Sequence, residues 1–198
     1  MEDDSYKTIA TAAETTFRER SSRFSGFAFP IGSEQEVKQI VDELRKRFYD
    51  ATHHCYAYRL GPRGEQFRSS DDGEPSGTAG RPILGQLLSR QVTDCLVVVV
   101  RWFGGTKLGV PGLIAAYRQS AADAIEAGGV VERFIERKIS IRFPYESMNG
   151  VQKAIKELSP AISAQEFDIV CRMTLSIRES LADRLVKMLS EVEGLTTE

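Results

Sequence analysis

The chain has 198 residues, of which 41% are hydrophobic and 27% are charged, and its formal net charge is −2 at pH 7. These values are typical of a soluble globular protein with one or two domains, and they exclude binding to nucleic acid through overall basic charge. No window approaches the roughly 18 consecutive apolar residues of a membrane span, and residues 1–4 are acidic where a signal peptide would be basic. We therefore expect a cytoplasmic protein with no membrane partner.

The N-terminal half predicts alternating strands and helices. Residues 1–19 are polar and indicate no firm element. A capping box, Ser33 with Glu36 three residues later, marks the start of the first helix. In chain order, the predicted elements are a strand over 23–29, a helix over 34–48, and a hairpin with strands over 54–60 and 65–70.

Two glycine-rich loops, each leading into a predicted helix, are the densest feature of the sequence. The first, residues 70–82, is acidic, and Thr78 is the predicted N-cap of the helix that follows. The second, residues 104–112, follows the apolar run 95–100, which has no polar residue on either face. Such a run predicts a central strand that is covered on both sides.

From about residue 136 the hydrophobic pattern restarts with a core of its own. It predicts a strand over 138–143, a helix over 146–158, a hairpin with strands over 161–166 and 169–178, and a helix over 180–192. The order βαββα is that of a ferredoxin-like domain without its last strand. The sequence thus predicts an α+β protein with two domains, residues 1–135 and residues 136–198.

The two loops suggest a site for phosphate or nucleic acid. A helix start presents unpaired N–H groups and partial positive charge, and glycine lets a ligand approach the backbone closely. Trp102 and Phe103 would then stack bases. The alternative is that the glycines serve only tight turns and that the aromatic rings serve packing. The candidate ligand-binding residues are Thr78, Gly80, Arg81, Arg101, Trp102, Gly104, Gly105, Lys107 and Gly109.

The loops match known nucleotide motifs poorly. Val110 follows Gly109 where a Walker A loop requires lysine, and Lys107 stands where the dinucleotide fingerprint requires glycine. A nucleotide-binding enzyme is therefore less favoured than a protein without catalytic activity.

The carboxylates of the first loop oppose an anion site. Asp71, Asp72 and Glu74 would repel phosphate unless a divalent cation bridges them or helix ends neutralise them. A magnesium ion with mostly water ligands is one hypothesis, and local capping by the carboxylates is the other. The sequence indicates no resident cofactor.

The histidines and cysteines give no metal motif. His53 and His54 are adjacent, so in a strand they point to opposite faces, and at most one of them lines a given site. The three cysteines have no C-x-x-C spacing, which excludes a disulfide framework and a zinc knuckle. We expect each cysteine, Cys55, Cys95 and Cys171, to be a small buried side chain.

The motifs DDGEPSGTAG at 71–80, VVVRWFGG at 98–105 and LGVPGL at 108–113, preceded by HHC at 53–55, resemble the IMPACT family, also called the YigZ family. The resemblance covers the whole chain. It implies an N-terminal domain similar to the second domain of a small-subunit ribosomal protein and a C-terminal domain similar to an elongation-factor module. Eukaryotic relatives are implicated in translational control.

We therefore predict a non-enzymatic, translation-associated protein that binds RNA or the ribosome. One alternative is a phosphate- or nucleotide-binding enzyme that holds a divalent cation at the acidic loop. The other is a regulator that binds a translation factor through its ferredoxin-like sheet.

Overall fold

The computed structural model describes residues 4–197. They form two compact units, residues 6–133 and residues 134–197, with residues 4 and 5 grouped in the second unit. The predicted division after residue 135 places residues 4 and 5 in the first domain instead. Helices and strands occur in both units, which confirms the α+β class.

The first unit is built on a five-stranded antiparallel sheet with strand order β2-β3-β6-β4-β5. A separate two-stranded sheet pairs β1 (Ser5–Ile9) with β7 (Val130–Phe134). The strands of the main sheet are β2 (Ala13–Glu19), β3 (Ser22–Pro30), β4 (His53–Leu60), β5 (Gln66–Ser70) and β6 (Cys95–Trp102).

Three helices cover the two faces of this sheet. Helix α1 (Glu34–Arg47) covers one face, and α2 (Gly80–Ser89) and α3 (Gly109–Gly128) cover the other. The central strand β6 sends Val98 toward α1 and Val97 toward α2 and α3. This confirms that the apolar run forms a central strand covered on both sides.

The capping box is confirmed, because Ser33 Oγ accepts a hydrogen bond from the N–H of Glu36 at 3.3 Å. The expectation of no element over residues 1–19 is wrong for the described residues, which form β1 and β2. Strand β2 lies at one edge of the sheet, and its residues alternate between half-buried and exposed. Its predominantly polar sequence therefore carries no strong apolar stripe. Residues 1–3 lie outside the described part of the chain.

The second unit has ferredoxin-like topology. Its antiparallel sheet has the order β11-β8-β10-β9, and its hairpin is confirmed. The expectation that the last strand is missing is wrong, although β11 has only two residues. The elements are β8 (Glu136–Pro144), a 3₁₀ turn (Tyr145–Ser147), α4 (Met148–Leu158), β9 (Ala161–Glu166), β10 (Val170–Arg178), α5 (Glu179–Ser190) and β11 (Thr196–Thr197).

Within residues 4–197, none of the helices combines the length and the apolar character that crossing a bilayer requires.

Candidate functional site

The first glycine loop is closed by its own carboxylate. Asp71 Oδ1 accepts hydrogen bonds from the N–H groups of Ala79 at 3.0 Å and Gly80 at 2.8 Å, and Oδ2 accepts one from Gly77 at 2.8 Å. Burial works against ionisation, but the three N–H donors outweigh it and hold the pKa of Asp71 below its ordinary value. An external phosphate at the start of α2 would have to displace this carboxylate.

The prediction that Thr78 caps α2 is wrong. The N-cap position is Ala79, which has no side-chain cap, and the hydroxyl of Thr78 donates to the carbonyl of Pro75 at 2.6 Å. Gly80 packs so closely on β5 that a Cβ there would lie 2.8 Å from the backbone nitrogen of Ser70. Thr78 and Gly80 are therefore buried in the framework of the loop.

Asp72 ties the loop to α1 and β4. Its Oδ1 accepts from Arg45 Nη2 at 2.7 Å, and its Oδ2 accepts from the N–H of His54 at 2.7 Å. Its carbonyl lies 2.8 Å from His53 Nδ1, so this nitrogen carries the proton that it donates. Both carboxylate oxygens of Asp72 are thus bound by protein donors.

Glu74 forms a buried ion pair with Arg101. Its Oε1 accepts from Arg101 Nη1 at 2.6 Å and from the hydroxyl of Tyr117 at 2.7 Å. Glu74 is 8% exposed and Arg101 is 4% exposed. Arg101 Nη2 also donates to Ser22 Oγ at 3.2 Å. The guanidinium that the sequence assigned to phosphate therefore neutralises an internal carboxylate.

Cys55 lies beneath this pair as an unreactive thiol. Its Sγ donates to the carbonyl of Asp71 at 2.9 Å. Burial raises the pKa of Cys55 far above its ordinary value, so the thiol stays protonated at neutral pH. Burial likewise raises the pKa of Tyr117. All three cysteines are buried, as the sequence predicted.

The side chains of residues 4–197 form no cluster of three or more His, Cys, Asp or Glu placed to hold one metal ion. Asp71, Asp72 and Glu74 instead turn to separate protein donors. The magnesium hypothesis stays a prediction, without a ligand set among these residues.

A groove of about 410 Å³ separates the first loop from the start of α3. Its charged or ionisable side chains are His53, Glu74 and Arg101, with Lys107 beside the start of α3. The other lining residues are Thr52, Pro75, Phe103, Leu108, Gly109, Val110 and Leu113. The groove thus has apolar walls, and a buried ion pair and the start of a helix also line it.

The second glycine loop differs from the first because no side chain caps its helix. Helix α3 begins at Gly109 after Leu108, which makes no capping hydrogen bond, and among residues 4–197 no side chain accepts from the N–H groups of Gly109 and Val110. Lys107 is exposed, and Gly105 and Gly109 have positive φ angles of 88° and 73°. Gly104 is needed for packing, since a Cβ there would lie 1.8 Å from the carbonyl oxygen of Ser21.

Several predicted site residues do not line the groove. Trp102 lies on the α1 face of the sheet, where its Nε1 donates to Asp50 Oδ2 at 3.0 Å. His54 is also buried on that face, 3.9 Å from Asp72 through its Nδ1. Arg81 is exposed beside the first loop, outside the groove. Of the two aromatic residues, only Phe103 joins the groove, with 46% of its surface exposed.

The fold and groove define a two-domain α+β protein with an antiparallel N-terminal domain and a ferredoxin-like C-terminal domain. The model of the Impact N-terminal domain matches residues 20–125, which include every residue of the groove. The chain is 37% identical over 153 residues to IMPACT family member YvyE of Bacillus subtilis, covering 77% of this chain and 70% of that protein. It therefore belongs to the IMPACT family, which confirms the prediction from its motifs.

Two further comparisons extend over most of the chain. IMPACT family member YigZ of Escherichia coli is 30% identical over 162 residues, covering 80% of this chain and 79% of that protein. A crystal structure described as that of an hypothetical protein has a TM-score of 0.73 and 26% identity, covering 98% of this chain and 96% of the other. The similarity thus includes both units.

Proposed function

We propose that this protein is a non-enzymatic, cytoplasmic, translation-associated protein that binds RNA or the ribosome at the groove beside α3. The observation that carries the proposal is the uncapped start of α3, next to the exposed Lys107 and the exposed ring of Phe103. An uncapped helix start and a lysine are the two usual donors to a phosphate.

The groove suits one unstacked nucleotide. Its volume of about 410 Å³ lies in the range of pockets that hold small ligands. A base would stack on Phe103, since single-stranded RNA is held through aromatic rings and phosphate contacts. The phosphate would then accept from the N–H groups of Gly109 and Val110 and from Lys107.

The neutral floor of the groove supports this arrangement. Glu74 would repel a phosphate if it were unpaired, but Arg101 compensates its charge at 2.6 Å. The start of α2 offers no equivalent site, because Asp71 already occupies its N–H groups. The proposal therefore places binding at the second glycine loop and not at the first.

The family supports the part of the proposal that links this protein to translation. The resemblance implies a C-terminal domain similar to an elongation-factor module, and eukaryotic relatives are implicated in translational control. Ribosomal RNA is thus the first ligand to test.

Fluorescence polarisation with a labelled single-stranded fragment of ribosomal RNA tests the proposal. We expect binding at low salt that weakens steeply as salt rises, because phosphate contacts release counterions. Lys107→Ala should weaken binding, whereas Arg118→Ala, an exposed arginine on α3, should not. Absence of binding by the unmodified protein at low salt would contradict the proposal.

A second candidate function is protein binding through the C-terminal unit. Three apolar side chains are exposed around the turn between β9 and β10: Tyr145 by 64%, Phe167 by 52% and Ile169 by 85%. They line a shared depression, and clustered apolar side chains at a surface mark interaction sites. A translation factor would be the partner.

A tagged pull-down with ribonuclease treatment separates this candidate from RNA binding. A protein partner should survive the nuclease and be lost in Ile169→Ser. Loss of all partners on nuclease treatment would leave RNA as the only ligand.

A further inference from the structure

A row of two arginines and a tryptophan crosses three strands of the first sheet. Arg18 on β2 pairs with Arg23 on β3, and Arg23 pairs with Trp102 on β6. Directly opposed residues of antiparallel strands project on the same face. Arg18 and Arg23 are both exposed, and β2 is an edge strand. The row is therefore open to a ligand from the side of β2.

The row carries two positive charges, and Asp50, which accepts from Trp102 Nε1 at 3.0 Å, forms no ion pair with either arginine. Like charges directly opposite each other in a sheet are destabilising. Among residues 4–197, Arg18 has no hydrogen bond or ion pair to offset this repulsion. Glu19, its neighbour in the strand, projects on the opposite face. An anionic ligand at Arg18 would offset this repulsion.

Arg23 is arranged for stacking. Its guanidinium lies 3.7 Å from the centre of the Trp102 ring, and the side chain is exposed. A guanidinium plane held on an aromatic ring presents its other side to solvent, and RNA bases stack on such planes. The row thus combines a stacking plane with a free cation at Arg18.

The row and the groove lie on opposite faces of the sheet and are adjacent at the end of β6. Trp102 and Phe103 are consecutive, and they belong to the row and to the groove respectively. The turn between β2 and β3 joins the two places, because Arg20 Nη1 donates to the carbonyl of Lys107 at 3.2 Å. A flexible strand that leaves the groove would pass this turn within a few residues of the row.

We propose that single-stranded RNA bound in the groove continues around the β2–β3 turn onto the row, where Arg18 binds a phosphate and Arg23 stacks on a base. This inference rests on the proposed function, because it extends the same ligand beyond the groove. A guanidinium stacked on an indole favours a nucleic acid over an acidic protein, since a base offers a flat face for stacking next to a negative phosphate, whereas an Asp or Glu side chain offers charge alone.

The test compares a long and a short RNA by fluorescence polarisation. A labelled single strand of about ten nucleotides is long enough to occupy the groove and the row together, whereas a labelled dinucleotide fills only the groove. Arg18→Ala should weaken the long RNA about threefold at low salt and reduce its salt slope by about 0.7, the value of one phosphate contact. It should leave the dinucleotide unchanged, whereas Lys107→Ala should weaken both.

The controls separate this inference from the proposed function. Arg118→Ala should bind both RNAs as the unmodified protein does, and Arg18→Lys should restore most of the lost affinity. If the unmodified protein binds neither RNA, the proposed function fails. A different result overturns this inference alone. In that result the unmodified protein binds both RNAs and Lys107→Ala weakens both, but neither Arg18→Ala nor the Arg18→Ala/Arg23→Gln double variant weakens binding of the long RNA. The inference would also be overturned if the unmodified protein bound polyglutamate as tightly as the long RNA.

Discussion

Arg101 Nη1 donates to Glu74 Oε1 at 2.6 Å, and this ion pair lies almost wholly out of solvent in the floor of the groove. The pair joins the first glycine loop to the central strand, since Glu74 follows Asp72 and Arg101 lies near the end of β6. It therefore fixes the first loop, which forms one side of the groove, to the strand that leads into the second glycine loop. Its charges compensate each other, which leaves Lys107, beside the start of α3, as the cation without an ion pair among the described residues that line the groove.

Glu74→Ala should strongly destabilise the N-terminal unit. The substitution leaves Arg101 buried without its partner, and breaking a buried pair in this way costs about 3–5 kcal/mol. Urea unfolding followed by the fluorescence of Trp102, the only tryptophan in the sequence, measures the change. Glu14→Ala, which breaks the exposed pair with Arg47, should cost less than about 1 kcal/mol. Equal effects of the two substitutions would contradict the structural role of the buried pair.

Asp71→Asn should weaken the start of α2. An amide has one acceptor oxygen and no charge, so it cannot replace both carboxylate oxygens, and the loss of such a cap costs about 0.5–2 kcal/mol. The folded pKa of Asp71 is lowered, so its stabilising effect is complete above the ordinary carboxyl pKa of 3.8 and declines as the pH falls toward the folded value. The difference in unfolding free energy between the two proteins should therefore shrink below about pH 4.

His54 should make the unmodified protein less stable in mild acid. Burial lowers its pKa below the ordinary 6.5 despite the nearby Asp72, so the unfolded chain takes up a proton at a higher pH than the folded one. The unfolding free energy should be constant above about pH 7 and fall as the pH drops below 6.5. His54→Gln should flatten this dependence between pH 7 and pH 5.5, as measured by urea unfolding at fixed pH values. An unchanged slope would assign the acid sensitivity to other groups.

The native protein should resist thiol reagents. Cys55, Cys95 and Cys171 are all buried, and burial raises the pKa of Cys95 to about 12. Burial keeps such reagents away from all three sulfur atoms, and the raised pKa of Cys95 also makes its thiolate scarce at pH 8. Mass spectrometry after alkylation should show an unmodified native chain and three modified cysteines after denaturation. Rapid modification of Cys55 in the native protein would contradict its placement beneath the buried ion pair.

Local signals in the sequence predicted much of the framework. The Ser33 capping box and the apolar run of β6 depend only on neighbouring residues, and both appear as expected. Strand β2 escaped prediction because an edge strand buries little apolar surface, so its sequence stays polar. The two-residue β11 is too short to show any periodicity.

The site was harder to predict because its contacts are not local. Asp71 caps a helix that begins nine positions later, through a turn in which Asp72 and Gly73 have φ angles of 43° and 87°. The path of the backbone through this turn determines which carboxylate of the loop points toward the start of α2. The pairing of Glu74 with Arg101 spans 27 residues and requires the whole sheet. Strand alternation alone, however, places Trp102 and Arg101 on opposite faces, and this signal was available in the sequence.

The central claim is that the start of α3, and not the start of α2, binds phosphate. A ¹⁵N–¹H correlation spectrum recorded during titration with a short single-stranded RNA tests it most directly. We predict the largest shifts at the N–H groups of Gly109 and Val110, with little change at Gly77 and Gly80, and loss of the response in Lys107→Ala. Shifts concentrated at Gly77 and Gly80, or none at either helix start at low salt, would contradict the claim.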